Sequence, residues 1–181
     1  MPKATNSNVT GGAKLLPIDD CYISIPGFKS IVMNNLPDIS DSKGANYSDE
    51  NVAGRSSPYK VYGYSNARTI SVGIHLYAIE EKDHMENMRK LRAIASCVYP
   101  RDGENSGPYK PPPVCKIKCG KLLADSELCV ILLNYNVKYP IDVAWDAKTY
   151  MPFRFDIETQ WEVVYSTMDL PGSKRILGTG R

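Results

Sequence analysis

Strict alternation of apolar and polar positions dominates the C-terminal third of the chain. Phe153, Phe155, Ile157, Thr159, Trp161, Val163 and Tyr165 fall on one face of an extended backbone, and Arg154, Asp156, Glu158, Gln160 and Glu162 fall on the other. A period of two predicts an antiparallel strand with one face buried and one wet. The same pattern recurs where Ile70, Val72, Ile74, Leu76 and Ala78 interleave with Thr69, Ser71, Gly73, His75 and Tyr77. Further strands are predicted over residues 21–25 and 28–33, around a Pro26-Gly27 turn, and over 114–119 and 127–139. The longest of these exceed the usual strand of about five or six residues. Long strands that bury one face belong to a barrel, a sandwich, or a sheet completed by neighbouring subunits.

Between the strand groups the spacing becomes helical. Met85, Met88, Leu91, Ile94, Ala95 and Val98 form a stripe, with Glu81, Lys82, Glu86, Arg89, Lys90 and Arg92 on the rest of the surface. This predicts one helix over about 81–98, stopped by Pro100. Residues 34–57 are rich in Asn, Asp, Ser and Gly and predict a long loop that orders only against a partner. Residues 1–20 predict an N-terminal arm, 21–166 a single domain, and 167–181 a polar C-terminal tail. Residues 101–113 form a Gly/Pro-rich connector, and no internal repeat is present.

The fold class expected from this order is mainly β with one helix (α+β). The chain has 181 residues, 43% of them hydrophobic and 23% charged, enough for one domain with a core. Its formal net charge of +2 excludes a strong electrostatic footprint for nucleic acid. No stretch approaches the roughly 20 apolar residues of a membrane helix. No apolar signal region follows Met1, so a soluble protein made in the cytoplasm is expected.

Candidate chemistry is sparse. Cys21, Cys97, Cys115, Cys119 and Cys129 are an odd number at irregular spacing, which favours buried free thiols. Cys115 and Cys119 share one side of a strand but lie about 13 Å apart, too far to bridge each other. Either is placed to meet Cys129 on a neighbouring strand. With only His75 and His84 as nitrogen ligands, a zinc site is not expected. Cys97 with His84 is the nearest thiol–imidazole pair, but both lie on the helix and packing is the preferred reading. Asp19-Asp20 and Glu80-Glu81 are adjacent acids that point apart, and read as solvated or capping residues. Gly11-Gly12 and the glycines at 103 and 107 lack the strand-to-helix context of a phosphate loop. No catalytic residue, cofactor site or metal site is therefore assigned, and the chain is not expected to be an enzyme. Tyr59, Tyr62 and Tyr64, with Lys60 and Arg68 nearby, suit either a subunit interface or stacking on single-stranded nucleic acid, the interface being preferred.

Two local patterns together carry a resemblance. One is Pro112-Pro113-Val114-Cys115-Lys116-Ile117-Lys118-Cys119-Gly120-Lys121-Leu122-Leu123. The other pairs Asn134-Tyr135-Asn136-Val137 with Tyr150-Met151-Pro152-Phe153-Arg154-Phe155-Asp156-Ile157. Over residues 23–165 the chain resembles the tube-fold baseplate proteins of contractile-tailed bacteriophages, the tail tube initiator or hub-adaptor class. Some members continue into a peptidoglycan-binding LysM module; none follows Tyr165 here, so cell-wall binding is not carried over. The resemblance implies a tail-tube-like antiparallel β-sandwich or half-barrel whose sheet closes into a homo-hexameric ring with neighbouring subunits. It further implies a structural virion protein of the tail or baseplate, assembled in the host cytoplasm, with no cofactor and no membrane contact. Its partners would be tail tube, hub and baseplate proteins, and DNA would pass through the lumen without specific binding. A tail tube or tail terminator protein would share that fold. A monomeric β-barrel module for single-stranded nucleic acid or a small ligand is the alternative of another class. Asp156, Glu158 and Glu162 would either line the lumen, or solvate an outer face or pair with Lys or Arg on a neighbouring strand.

Overall fold

Nine strands and one helix make up the described part of the chain. They are β1 (Ile18–Ser24), β2 (Ile31–Met33), β3 (Asp38–Ser42), β4 (Ala45–Glu50), β5 (Tyr59–Ser65), β6 (Thr69–Tyr77), α1 (Glu81–Ser96), β7 (Cys115–Cys119), β8 (Leu128–Lys138) and β9 (Arg154–Val163). The computed structural model describes residues 18–33, 35–101, 109–124 and 126–165. Most of the expected N-terminal arm, the expected C-terminal tail, Gly11-Gly12 and the glycines at 103 and 107 lie outside the described residues. The arm expected over 1–20 ends earlier than its composition implied, because β1 begins at Ile18.

Seven strands form one antiparallel sheet in the order β2-β1-β7-β8-β9-β6-β3, and β4 pairs with β5 in a separate two-stranded ribbon. The two long alternating segments are direct neighbours. β6 and β9 pair without a register shift from Thr69 opposite Glu162 to Tyr77 opposite Arg154. Their inward rows, Ile70, Val72, Ile74 and Leu76 against Phe155, Ile157, Trp161 and Val163, are buried. Thr159 occupies the same buried row and satisfies its hydroxyl twice. It donates to the Val72 carbonyl at 2.8 Å and accepts from Trp161 Nε1, also at 2.8 Å. One threonine thus lets an indole N–H lie in the core without an unpaired donor. Phe153, expected on this row, precedes the strand and is exposed.

Strand β8 changes phase. Leu128, Val130 and Leu132 are buried, whereas beyond Leu133 it is Tyr135 and Val137 that pack against the core. The register against β9 shifts between Leu132 and Asn134, so a bulge at Leu133 exchanges the two faces. This single extra residue explains why 131–134 break the alternation in sequence.

Helix α1 covers the apolar face of the sheet. Leu91 and Ile94 are buried as expected, but the stripe is rotated towards His84 and Asn87, and Met85 is exposed. Asn87 is tolerated inside because its Nδ2 donates to the Tyr77 carbonyl at 2.9 Å. That bond ties the helix to the end of β6. The Asp83 carboxylate accepts from the backbone amides of Ile79 and Glu80, at 3.0 and 2.9 Å, and secures the first turn.

Residues 34–57 are not the long loop expected of them. β3 pairs with β6 as an edge of the main sheet, and β4 forms half of the ribbon. Both strands are held by backbone ladders while their side chains remain polar and largely exposed, so composition alone concealed them. The ribbon is exposed at every position and forms no second layer over the core.

Leu91→Ala should cost about 2–5 kcal/mol of stability by denaturant unfolding. Met85→Ala, on the exposed side of the same helix, should cost no more than about 0.5 kcal/mol. Equal losses would mean that α1 does not roof the core.

Candidate assembly interface

The β4–β5 ribbon carries a concentration of exposed aromatic surface. Tyr47, Tyr59, Tyr62 and Tyr64 are each about half exposed, and Val61 lies among them. Tyr47 stands opposite Tyr62 in the ladder, and their rings meet edge to face with centroids 5.7 Å apart. The register shifts at Gly63, so Tyr62 lies with Tyr47 on one face of the ribbon, while Tyr59, Val61 and Tyr64 occupy the other. Both faces therefore present apolar area to solvent. A lone two-stranded hairpin is marginal in water, and an exposed apolar ribbon marks an interaction surface.

The two bases around these tyrosines are already engaged. Lys60 Nζ lies 2.5 Å from Asp49, and the Arg55 guanidinium sits 3.5 Å from the Tyr59 ring centroid. Residues 45–65 hold two acids (Asp49, Glu50) and two bases (Arg55, Lys60), so the ribbon is formally neutral. Arg68 is not the exposed cation its sequence position implied. It is buried, with Nε 2.9 Å from Asp41 and an Nη 3.0 Å from the Leu123 carbonyl. That hydrogen bond holds the Asp41 carboxyl below its usual range against the opposing effect of burial. None of these bases is left to hold a row of phosphates.

The sheet itself is open. β2 and β3 are its outer strands, and among the described residues each leaves one row of backbone groups without a ladder partner. On the wet face of β9, Glu158 lies 2.5 Å from Lys138 and Asp156 pairs with His75 and Arg154. Two of the three acids considered for a lumen lining thus have basic neighbours.

The His75 cluster joins three strands. Nδ1 is 2.6 Å from Asp156 and Nε2 is 3.1 Å from Asp38. Both ring nitrogens face carboxylates, the arrangement of an imidazolium donating twice. The Asp156 hydrogen bond raises the His75 pKa, outweighing burial, and Asp38 adds to it. Burial alone would push Asp156 up, but the hydrogen bonds from His75 and Arg154 outweigh it and hold the carboxyl low.

The remaining sequence candidates are not assembled into a reactive site. Cys97 ends α1 beside Cys115, whereas His84 lies near the opposite end of the helix, about 20 Å away by helical rise. His84 is buried, with Nε2 lacking a hydrogen-bond partner and Phe153 edge-on to its ring. It borders a cavity of about 300 Å³ that also meets Tyr139, Trp145 and Phe155. Sequence reasoning missed this hollow because its walls come from the irregular 139–152 segment. Asp20 pairs with Lys118, and Glu80 precedes the helix and pairs with Lys82. Cys129 does not meet Cys115 or Cys119. It stands opposite Lys116 and is exposed, while Cys115 faces Val130 and Cys119 faces Cys21. Among the described residues no group of three or more metal-ligating side chains comes together, and no helix is long and apolar enough to cross a membrane.

Comparison with known proteins finds no family model that matches the chain and no curated protein that matches it.

The His75 cluster sets a pH dependence. A raised histidine pKa contributes stability that is complete below about pH 6.5 and is lost as pH rises through the folded-state value. His75→Gln should therefore lower the urea midpoint at about pH 6 more than at about pH 9. A gap independent of pH would show that the imidazole is neutral in the fold.

Proposed function

We propose that this protein is a structural component of a contractile phage tail: a tube-initiator or hub-adaptor ring of the baseplate, joining hub to tail tube. Six copies place their sheets side by side, and the continuous wall templates the tube by shape, without turnover. One observation carries the reading, the tyrosine-rich β4–β5 ribbon exposed on both faces beside an open sheet. A ring removes both liabilities, since neighbouring protomers cover the ribbon and extend the ladder. The pattern of Pro112-Pro113-Val114-Cys115 and of the long β8–β9 pair supports the same class. A tail tube or terminator protein differs from this reading in copy number and ring position rather than in the protomer. The neutral ribbon and the paired Lys60 and Arg68 favour assembly over a monomeric module for single-stranded nucleic acid.

Native mass spectrometry and electron microscopy of the purified protein, alone and with tail tube protein, test this directly. Rings of six are expected. Tyr62→Asp with Tyr64→Asp should abolish ring formation while shifting the thermal midpoint of the protomer by no more than a few degrees, because neither side chain is in the core. A protein that stays monomeric with and without its tube partner, and binds oligonucleotides in a salt-sensitive way, would overturn the proposal and favour the binding module.

A further inference from the structure

Four of the five thiols are buried in two pairs that the assembly reading does not use. In the first, Cys21 of β1 stands directly opposite Cys119 of β7, with the sulfurs 2.6 Å apart. The Gly120 amide donates to the Asp20 carbonyl at 2.8 Å. Ladder bonds therefore flank the two cysteines rather than join them, and they form a non-hydrogen-bonded pair. Such pairs bring α-carbons to about 4.5 Å, within the roughly 4.4–6.8 Å that a disulfide spans. The two residues are 1% and 4% exposed, so solvent does not separate them. The second pair is built differently. Cys115 donates to Cys97 across 3.6 Å, and Cys97 donates onward to the Ala93 carbonyl at 3.3 Å. One partner there ends a helix, and no ladder register holds the two in opposition.

We propose that Cys21 and Cys119 form a cross-strand disulfide when the protein meets a low-molecular-weight disulfide such as oxidised glutathione, locking β1 to β7. The reaction is thiol–disulfide exchange. A cysteine thiolate freed by opening of β1 attacks one sulfur of the reagent, breaks its S–S bond and expels one glutathione thiolate. The second cysteine thiolate then attacks the protein sulfur of the mixed disulfide and expels the other glutathione. One disulfide is consumed and one formed, and the two cysteine protons end on the two released thiols. Burial and the neighbouring thiol push Cys21 up to about 12, so the closed sheet protects the pair and exchange proceeds through opening. The bond closes a loop from residue 21 to residue 119, which contains β2 to β6 and α1. Crosslinks over long loops restrict the unfolded chain most.

The test uses the folded Cys129→Ser protein, because Cys129 is the exposed thiol that would otherwise join molecules. After incubation with oxidised glutathione, free thiols are alkylated in denaturant and the unreduced digest is mapped by mass spectrometry. The expected result is a linked peptide holding Cys21 and Cys119, with Cys97 and Cys115 alkylated, and a raised thermal midpoint that reverts with dithiothreitol. Cys21→Ser in the same background should stop at a glutathione adduct on Cys119. Cys21 and Cys119 both recovered alkylated, or linked to other cysteines, would overturn the proposal. Mapping the wild-type chain gives the same decision should a variant fail to fold.

Discussion

From Thr69 opposite Glu162 to Tyr77 opposite Arg154, β6 and β9 pair residue for residue, and the remaining elements are placed by that unbroken ladder. Its inward rows supply the largest continuous part of the core, and the helix hangs from its end through the Asn87 amide and the Tyr77 carbonyl. A register slip of one residue would turn Trp161 and Ile157 to water and Glu158 and Glu162 into the core. The Thr159 hydroxyl adds a directional check, because only the observed alignment lets it bond both the Val72 carbonyl and the Trp161 indole. On the opposite face His75 meets Asp156 directly across the same ladder. One register thus satisfies an apolar face and a charged face at once.

The elements legible in the sequence were those whose side chains alternate or repeat without interruption. β6, β9 and α1 announced themselves because burial acts on every second or every third to fourth residue there. Where backbone pairing rather than side-chain burial holds the chain, the signal vanished. β3 and β4, with Asp38, Ser40, Asp41, Asn46, Ser48 and Asp49, read as loop, yet each has a full ladder partner. The bulge at Leu133 hid the phase change of β8, since one inserted residue makes 128–133 look uniformly apolar. Helix periodicity placed Leu91 and Ile94 correctly but misjudged the edge of the stripe. His84 and Asn87 take the inner positions because their contacts, unlike those of Met85, reach Phe153 and Tyr77. The tyrosines of the candidate interface could be picked out, but their exposure on both faces of a detached ribbon could not. The Cys21–Cys119 juxtaposition depends on pairing of residues 98 positions apart and left no local trace.

Charge on this protein is arranged to be neutralised locally rather than to build a field. Lys60 with Asp49, Lys138 with Glu158, Lys116 with Glu127 and Arg68 with Asp41 each join neighbouring elements. The exposed pairs among them contribute roughly 0–1 kcal/mol each, so their value lies less in stability than in neutralising charge locally among the described residues. A surface of that character neither draws in phosphate from a distance nor repels a second copy of itself. It leaves shape and aromatic area to decide what binds.

Because every residue of β4 and β5 lies outside the core, a substitution there leaves the packing of Trp161, Ile157 and their neighbours unaltered. The ribbon is consequently the part of the molecule whose sequence can drift in step with whatever it touches. The seven-stranded sheet is held by its ladder and its buried rows. Under the proposed assembly, recognition and folding are written in separate residues, so a change of partner need not be preceded by a change of scaffold.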